Sequence, residues 1–235
     1  LICGESAATV TCAEGEQSAD SSREVKGWRI GQALAVVSAE ADLFLATHAA
    51  NAEGGQSVTG VLKHYRRGIE PEATVYPALR ALDPDHGLRL LDSGRFESRA
   101  FEVWEYLPLG TLAAIPVGEK ADPKFLLDVV REVGGALNGL SEVQLLHRDL
   151  KPANILVRSR EPLDLVLADF STAVVSEFDL QMTVSRQTTR YAAPETIVGT
   201  CSAASDWWSF GVILLEILTR GRGFEGVHEK AFLLI

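Results

Sequence analysis

The chain has 235 residues, of which 46% are hydrophobic and 23% charged, so it is globular in composition and long enough for one large domain or two small lobes. Its formal charge of −10 provides no global electrostatic basis for binding nucleic acid or an anionic membrane. Three cysteines do not indicate a disulfide framework, and no apolar run is long enough to form a membrane segment, so we expect a reducing, cytoplasmic setting.

The two ends of the chain differ from its middle. Residues 1–26 are rich in Ser, Ala, Glu and Gly with little periodicity, which predicts a flexible tail or linker. The chain starts at Leu1 and stops in the apolar string 231–235, which favours a fragment that is incomplete at its C-terminus. Sixteen Arg against six Lys, with abundant Ala, indicate a GC-rich bacterial source.

The first part of the chain predicts a β-rich unit with one helix. Short β-type runs begin at Trp28 and cover RIGQALAVV, ADLFLATH and SVTGVLKHY, and the turn-forming cluster 51–55 separates the last two. A helix is expected next, because residues that suit one helical face recur at helical spacing: Glu72, Val75, Tyr76, Leu79 and Leu82. Two further strands follow, LRLLDSG and RAFEVWEYL.

The second part of the chain predicts mainly helix. Asp122 is suited to cap a helix with Pro123 at its first position, and an apolar face follows. LDLVLADF is expected to form a strand, and WWSFGVILLEIL a helix that is apolar on most sides and therefore buried. The expected fold class is α+β, with a β-rich lobe over 27–107, a helical lobe over 108–235 and a cleft near 105–110.

One short stretch, HRDLKPANIL at 147–156, concentrates polar side chains. They are His147, Arg148, Asp149, Lys151 and Asn154. A solvated turn uses the same residue types, but three further patterns follow: DFS at 169–171, APE at 193–195 and DWWSFG at 206–211. In this order and spacing they resemble the catalytic loop, the Asp-Phe-Gly position, the end of the activation segment and a buried helix start of the eukaryotic-type Ser/Thr protein kinase family. The resemblance covers roughly 28–230 and lacks the last helices of that family.

The resemblance implies a two-lobed protein-kinase fold that uses ATP and Mg²⁺ to phosphorylate a protein substrate. Phosphoryl transfer needs charge cancelled on the phosphates and the acceptor hydroxyl held in line. Asp149 would orient that hydroxyl and accept its proton, and Lys151 would neutralise the moving phosphoryl group. Asn154 and Asp169 would supply the oxygen ligands that Mg²⁺ prefers.

Lys63 in GVLKHY resembles the strand lysine that binds the α- and β-phosphates in this family. Its partner should be a Glu on the following helix. Glu72 is preferred because it shares the face of Val75 and Leu79, although the spacing usual in the family falls nearer Val75, and Glu70 is the alternative.

The adenine site is expected at the junction of the lobes. The resemblance implies that Trp104 is the gatekeeper residue and that backbone groups of Glu105 and Leu107 meet the adenine ring. Leu156 would lie beneath that ring.

The phosphate-covering loop departs from the family pattern. Val36, Ser38 and Ala41 stand where the family has glycines, which permit close backbone approach to phosphate. Ser171 replaces the glycine of Asp-Phe-Gly. These departures predict a degenerate loop and weaker binding of the nucleotide, while the metal ligands are intact.

Arg148 beside Asp149 marks the kinase subtype whose activation segment is ordered by a phosphate. The available acceptors in that segment are Thr183, Ser185, Thr188 and Thr189.

Two other functions remain open. A pseudokinase that binds nucleotide or acts as a scaffold is favoured by Val36 and Ser171. It is opposed by the intact set Lys63, Asp149, Asn154 and Asp169. A small-molecule phosphotransferase is opposed by APE and by the long segment 172–192, which favour a peptide-docking surface.

Overall fold

The structure is a computed structural model that describes residues 23–35, 38, 40–49, 56–116, 118, 122–176, 181–182, 190–197 and 199–224. Its first part contains six strands and a short helix: β1 (Glu24–Val25), β2 (Trp28–Ala33), β3 (Ala41–His48), β4 (Val58–Tyr65), α1 (Tyr76–Ala81), β5 (Leu90–Phe96) and β6 (Arg99–Glu105). A 3-10 turn, Ala73–Val75, leads into α1. The strands form one antiparallel sheet in the order β1-β2-β3-β4-β6-β5.

The tail expected over residues 1–26 ends earlier than the composition indicated. Glu24 and Val25 pair with β2, and Val25 is buried in a small apolar core together with Trp28. The side chain of Val25 therefore belongs to the β-rich lobe, and residues 1–22 lie outside the described part of the chain.

The second part of the chain is mainly helical. Its elements are α2 (Pro123–Glu142), β7 (Leu145–Leu146), β8 (Ile155–Arg160), β9 (Leu163–Leu167), β10 (Val174–Val175), β11 (Gln181–Met182), α3 (Pro194–Ile197), β12 (Thr200–Cys201) and α4 (Ala203–Leu218). The short strands pair as β8–β9, β7–β10 and β11–β12. A β-rich lobe followed by a helical lobe confirms the expected two-lobed α+β architecture.

The long helix α2 begins as its sequence predicts. The Asp122 carboxylate accepts a hydrogen bond of 2.9 Å from the backbone N–H of Lys124, and Pro123 occupies the first helical position. Apolar residues at helical spacing on α2, among them Val129, Val133 and Leu137, are buried in the main core. The cap and the apolar face together account for the start and the orientation of the helix.

Helix α4 is buried on one side only, which corrects the expectation of all-round burial. Phe210, Ile213 and Ile217 lie in the core, but Trp208 is 48% exposed and Leu218 is 63% exposed. Among the described residues, α2 packs against one face of α4, so hydrophobic composition alone overstated how much of the helix is covered.

The two lobes meet along a continuous core. Residues of α1 share one apolar cluster with residues of α2, α4 and β9. Leu88 donates a backbone hydrogen bond of 2.8 Å to the carbonyl of Leu167, and Val157 donates one of 2.9 Å to Gly110. Gly110 has φ +78°, a conformation that suits glycine, at the point where the chain passes between the lobes. The connecting segment is thus anchored to β8 in the helical lobe.

Candidate active site

Asp206, in the first turn of α4, holds the backbone of the HRD stretch. Its carboxylate accepts hydrogen bonds from the backbone N–H of His147 at 2.8 Å and of Arg148 at 2.9 Å. Burial raises the pKa of Asp206 above its ordinary value, although the two backbone N–H groups that it binds act in the opposite direction. Arg148 has φ +69°, an unfavourable conformation for a non-glycine residue, so these bonds fix a strained turn.

His147 is fully buried and links this turn to the strand before Asp169. Its Nε2 lies 2.9 Å from the carbonyl of Ala168, and its Nδ1 lies 3.4 Å from the backbone N–H of Asp149. The hydrogen-bond network therefore assigns the proton to Nε2, with Nδ1 as the acceptor. The imidazole ties the backbone of Asp149 to that of Ala168, next to Asp169.

Two expected catalytic residues, Asp149 and Lys151, form one cluster with Asn154, an expected metal ligand. The Lys151 amine donates to the carboxylate of Asp149, and both side chains are largely covered. The Asn154 amide nitrogen donates to the Asp149 carbonyl at 2.8 Å and to its carboxylate at 3.3 Å. Because the amide nitrogen of Asn154 donates to Asp149, the amide oxygen of Asn154 is the atom that could bind a cation.

Asp169 and Lys63 meet from opposite lobes. The Lys63 amine lies 3.6 Å from the Asp169 carboxylate and 4.0 Å from that of Glu40. Partial burial tends to raise the pKa of Asp169. The positive charge of Lys63, a hydrogen bond from the Ser171 hydroxyl and other nearby positive groups outweigh that effect, so the pKa lies below its ordinary value. Ser171, a departure from the family pattern, thus donates a hydrogen bond to the carboxylate that it follows. Asp169 has φ +61°, a second strained residue in this region.

The residues present fit a magnesium ion bound together with phosphates. Asn154 contributes an amide oxygen, and the Asp169 side chain is ionised and 46% exposed. No cluster of three or more His, Cys, Asp or Glu that could enclose a metal occurs among the described residues. Two oxygen ligands match Mg²⁺, which usually keeps several waters and substrate phosphates in its coordination sphere.

The expected pairing of Lys63 with Glu72 is wrong for this structure. The Glu72 carboxylate caps the 3-10 turn before α1, accepting bonds from the Thr74 hydroxyl at 2.6 Å and from its backbone N–H at 3.4 Å. The alternative, Glu70, forms an exposed ion pair with Arg95 at 2.8 Å. Capping of a nearby turn competes with pairing to a distant lysine for the same carboxylate, and the helical spacing of the apolar residues does not show which of the two forms.

The residues expected around adenine line the junction between the lobes. Trp104 is half-buried, and its ring stacks on Phe170 with centroids 6.0 Å apart. The Glu105 side chain pairs with Arg89 at 2.9 Å and with Arg158 at 3.7 Å. Leu107 follows in the connecting segment. Leu156, at the start of β8, pairs across an isolated bridge with residue 111.

Only part of the expected phosphate loop is described. Val36 lies outside the described residues. The hydroxyl of Ser38 accepts a hydrogen bond from the backbone N–H of Glu40 at 3.3 Å. Ala41 is the first residue of β3 and is buried against Tyr65 and its neighbours, so the structure places it in the sheet and not in the loop. The available phosphate acceptors of the activation segment, Thr183, Ser185, Thr188 and Thr189, also lie outside the described residues.

Two buried carboxylates in this region carry roles that the motifs did not assign. The sequence patterns place Asp206 only at a helix start and Glu102 only within a strand. Glu102 is 4% exposed and accepts hydrogen bonds from Tyr65, Tyr76 and Trp104. The signal in the sequence is a single acid inside the apolar alternation FEVW, which is unusual for a strand buried on both faces.

Comparison with known proteins agrees with this geometry. The chain is 38% identical over 124 residues to the probable serine/threonine-protein kinase PBL4 of Arabidopsis thaliana, a match that covers 50% of this chain and 30% of that protein. It is also 38% identical over 100 residues to the serine/threonine-protein kinase AtPK1/AtPK6 of the same plant, covering 42% of this chain and 21% of that protein. The chain thus spans less than a third of the length of either relative. Both are plant proteins, and the expectation of a bacterial source stays a prediction.

No helix in the described part of the chain combines the length and the apolar character needed to cross a membrane.

The family model of the protein kinase domain matches residues 76–233, more than half of the chain. Together with the two-lobed fold and the cluster around Asp149, this match shows that the chain belongs to the protein kinase domain family.

Proposed function

We propose that the chain transfers the γ-phosphate of Mg-ATP to a Ser or Thr hydroxyl of a protein substrate. The observation that supports this most strongly is the convergence of Asp149, Lys151 and Asn154 in one hydrogen-bonded cluster. Asp169, which follows the residue that His147 contacts, is paired with Lys63 from the other lobe.

Each residue has a separate part in the proposed reaction. Asp149 orients the substrate hydroxyl and takes its proton as the oxygen attacks the γ-phosphorus. The bond between the γ-phosphorus and the β,γ-bridging oxygen breaks, ADP leaves with that oxygen, and the proton passes from Asp149 to solvent. Lys151, whose amine donates to the Asp149 carboxylate, would neutralise charge on the transferring group.

Lys63 binds the α- and β-phosphates as a point charge. Asn154 and Asp169 would hold Mg²⁺, which supplies charge neutralisation on the phosphate oxygens when bound. Because Asp169 is paired with Lys63 in the structure, nucleotide binding requires that pair to separate so that each partner meets a ligand of its own.

The adenine ring would bind between the lobes, against the backbone of Glu105 and Leu107. The ion pairs of Glu105 with Arg89 and Arg158 support this site, because they hold the connecting segment in one position. Trp104 would limit the depth of the pocket, and Leu156 would form its floor. We also propose a cytoplasmic setting, which suits an enzyme that uses ATP and the buried free thiol of Cys201.

The direct test is transfer of labelled γ-phosphate from Mg-ATP to a generic protein acceptor such as dephosphorylated casein. We expect incorporation on Ser or Thr, dependence on Mg²⁺ and loss in Asp149→Asn. Label that appears on small hydroxyl compounds and never on protein would favour the small-molecule alternative. Absence of transfer by a chain that binds Mg-ATP would favour the pseudokinase.

One observation favours the pseudokinase as a second candidate. Lys63 is in contact with Glu40 and Asp169, and neither Glu72 nor Glu70 reaches it. If those contacts persist with nucleotide present, the two carboxylates compete with the phosphates for the Lys63 amine. Binding of ATP to Lys63→Met with wild-type affinity would support this candidate, because Lys63 would then play no part in nucleotide binding.

A further inference from the structure

The strand lysine of this chain lacks a carboxylate from the helix that follows it. Residues 73–81, which form the 3-10 turn and α1, read ATVYPALRA and contain no acid. The two acids just before them are occupied elsewhere, Glu72 as a cap and Glu70 with Arg95. A phosphate-binding lysine with four rotatable bonds needs an anion behind it to hold one orientation.

A buried carboxylate lies directly across the sheet from this lysine. Glu102 on β6 is the register partner of Lys63 on β4, so the two side chains project from the same face of the sheet. Residues paired in this way have Cβ atoms roughly 4.5–5.5 Å apart. The Lys63 amine also lies over the Tyr65 ring, 5.0 Å from its centroid, and the hydroxyl of that ring donates to Glu102. Lys63 and Glu102 therefore share a neighbour as well as a face.

Three donors fix the Glu102 carboxylate in place. Tyr65 at 2.8 Å and Trp104 at 3.0 Å donate to Oε2, and Tyr76 at 2.8 Å donates to Oε1. Burial, followed by the nearby Glu102 carboxylate, raises the pKa of both tyrosines, so both remain O–H donors at neutral pH. A carboxylate accepts about four hydrogen bonds, so these three leave room for one more, on Oε1.

We propose that Glu102 is the residue that positions Lys63 for the phosphates of ATP, in place of an acid on the helix. This inference rests on the proposed function, since it assigns Lys63 to the nucleotide. In the structure the Lys63 amine is turned toward Asp169 and Glu40. With Asp169 holding Mg²⁺, the Lys63 amine would be released from that carboxylate, contact the phosphates and take Glu102 as its second contact.

The arrangement changes what the helix contributes. The carboxylate belongs to the sheet that carries Lys63, so the pair does not depend on the helix moving toward the sheet. Helix α1 supplies only the Tyr76 hydroxyl that steadies Glu102. Trp104 links the same carboxylate to Phe170 through its ring stack, so Glu102 connects the lysine with the residue that follows Asp169.

The test compares the affinities of Mg-ATP and adenosine in the full chain by calorimetry. For Glu102→Gln we expect Mg-ATP to bind roughly tenfold more weakly, as for the loss of one charge-assisted bond, while adenosine binds within about twofold of wild type. The matched control is Glu72→Gln, which should leave both affinities unchanged. In the Lys63→Met background, Glu102→Gln should add no further loss, because Glu102 acts through Lys63.

A purely structural role for Glu102 predicts other results. In that case Glu102→Gln would lower the affinities for Mg-ATP and adenosine to the same extent, or its loss of Mg-ATP affinity would add to that of Lys63→Met. Either result overturns the proposal. If Glu102→Gln does not fold, judged by its melting curve, Glu102→Asp decides: it keeps the charge but withdraws it by one methylene, and it should still weaken Mg-ATP selectively.

The same measurements separate this inference from the proposed function. If Lys63→Met weakens Mg-ATP and neither Glu102 variant does, only the inference fails. If Lys63→Met binds Mg-ATP as tightly as wild type, the role of Lys63 in the proposed function and the inference fall together.

Discussion

Replacing Asp206 with Ala should destabilise the protein through the HRD turn. The change removes the acceptor of two backbone hydrogen bonds, one of them from the fully buried His147. Each buried N–H left without a partner costs about 1–3 kcal/mol. Relief of the desolvation that raises the pKa of Asp206 offsets part of this, so we expect a net loss of about 2–4 kcal/mol.

Thermal melting followed by circular dichroism measures this loss. For a chain of this size, 1 kcal/mol corresponds to roughly 2–4 °C, so Asp206→Ala should melt about 4–16 °C below wild type. Asp206→Asn keeps one acceptor oxygen, so its melting temperature should lie between those of wild type and Asp206→Ala. Glu97→Ala, at an exposed ion pair with Arg23, is the control and should melt as wild type does. An unchanged midpoint for Asp206→Ala would refute the claim that this carboxylate holds the turn.

Three further predictions concern single side chains. Asp169→Asn should melt below wild type at neutral pH; because the pKa of Asp169 is lowered on folding, this difference should disappear as the pH falls below about 4, and a difference that persists in acid would contradict the assignment. Ala41→Gly should cost about 1–2 kcal/mol in a melting experiment without tightening Mg-ATP, since Ala41 is buried in β3, and a gain in affinity would return it to the phosphate loop. Asp122→Ala should cost about 1 kcal/mol through loss of the α2 cap, and an equal midpoint would show that the cap is dispensable.

The parts of the fold that follow local rules could be predicted from the sequence. The strands β3 and β4 show the expected β-type runs, and α2 begins at the predicted cap. These signals lie within a few residues of one another, so composition and spacing contain them. The limit appears at α4, where an apolar sequence predicted burial on all sides but could not show which neighbours cover it.

The candidate site was predictable where its residues are consecutive and not where they pair at long range. Asp149, Lys151 and Asn154 lie within one motif, and the structure brings their side chains together. The bond between Asp206 and His147 joins residues 59 positions apart, and no local pattern encodes it. Glu102 illustrates the same limit, because two of its three donors, Tyr65 and Tyr76, lie 37 and 26 positions away in the sequence.

Glu72 failed as the partner of Lys63 for a different reason. Val75 and Leu79 of the expected stripe are buried, whereas Glu72 lies before the helix and is exposed. A carboxylate at the start of a helical turn is satisfied by the nearest backbone N–H groups. Sequence spacing does not distinguish a capping acid from one that reaches across to another strand.

The measurement that tests the central claim most directly compares wild type with Asp149→Asn in two assays on the same samples. One assay is the affinity for Mg-ATP, and the other is the single-turnover rate of γ-phosphate transfer to a protein acceptor. In the proposed reaction Asp149 contacts the acceptor hydroxyl and not the nucleotide, so we predict equal affinities and a rate that falls by at least about a hundredfold. Equal rates in the two proteins would contradict the assignment of Asp149 and the convergence of the site on phosphoryl transfer.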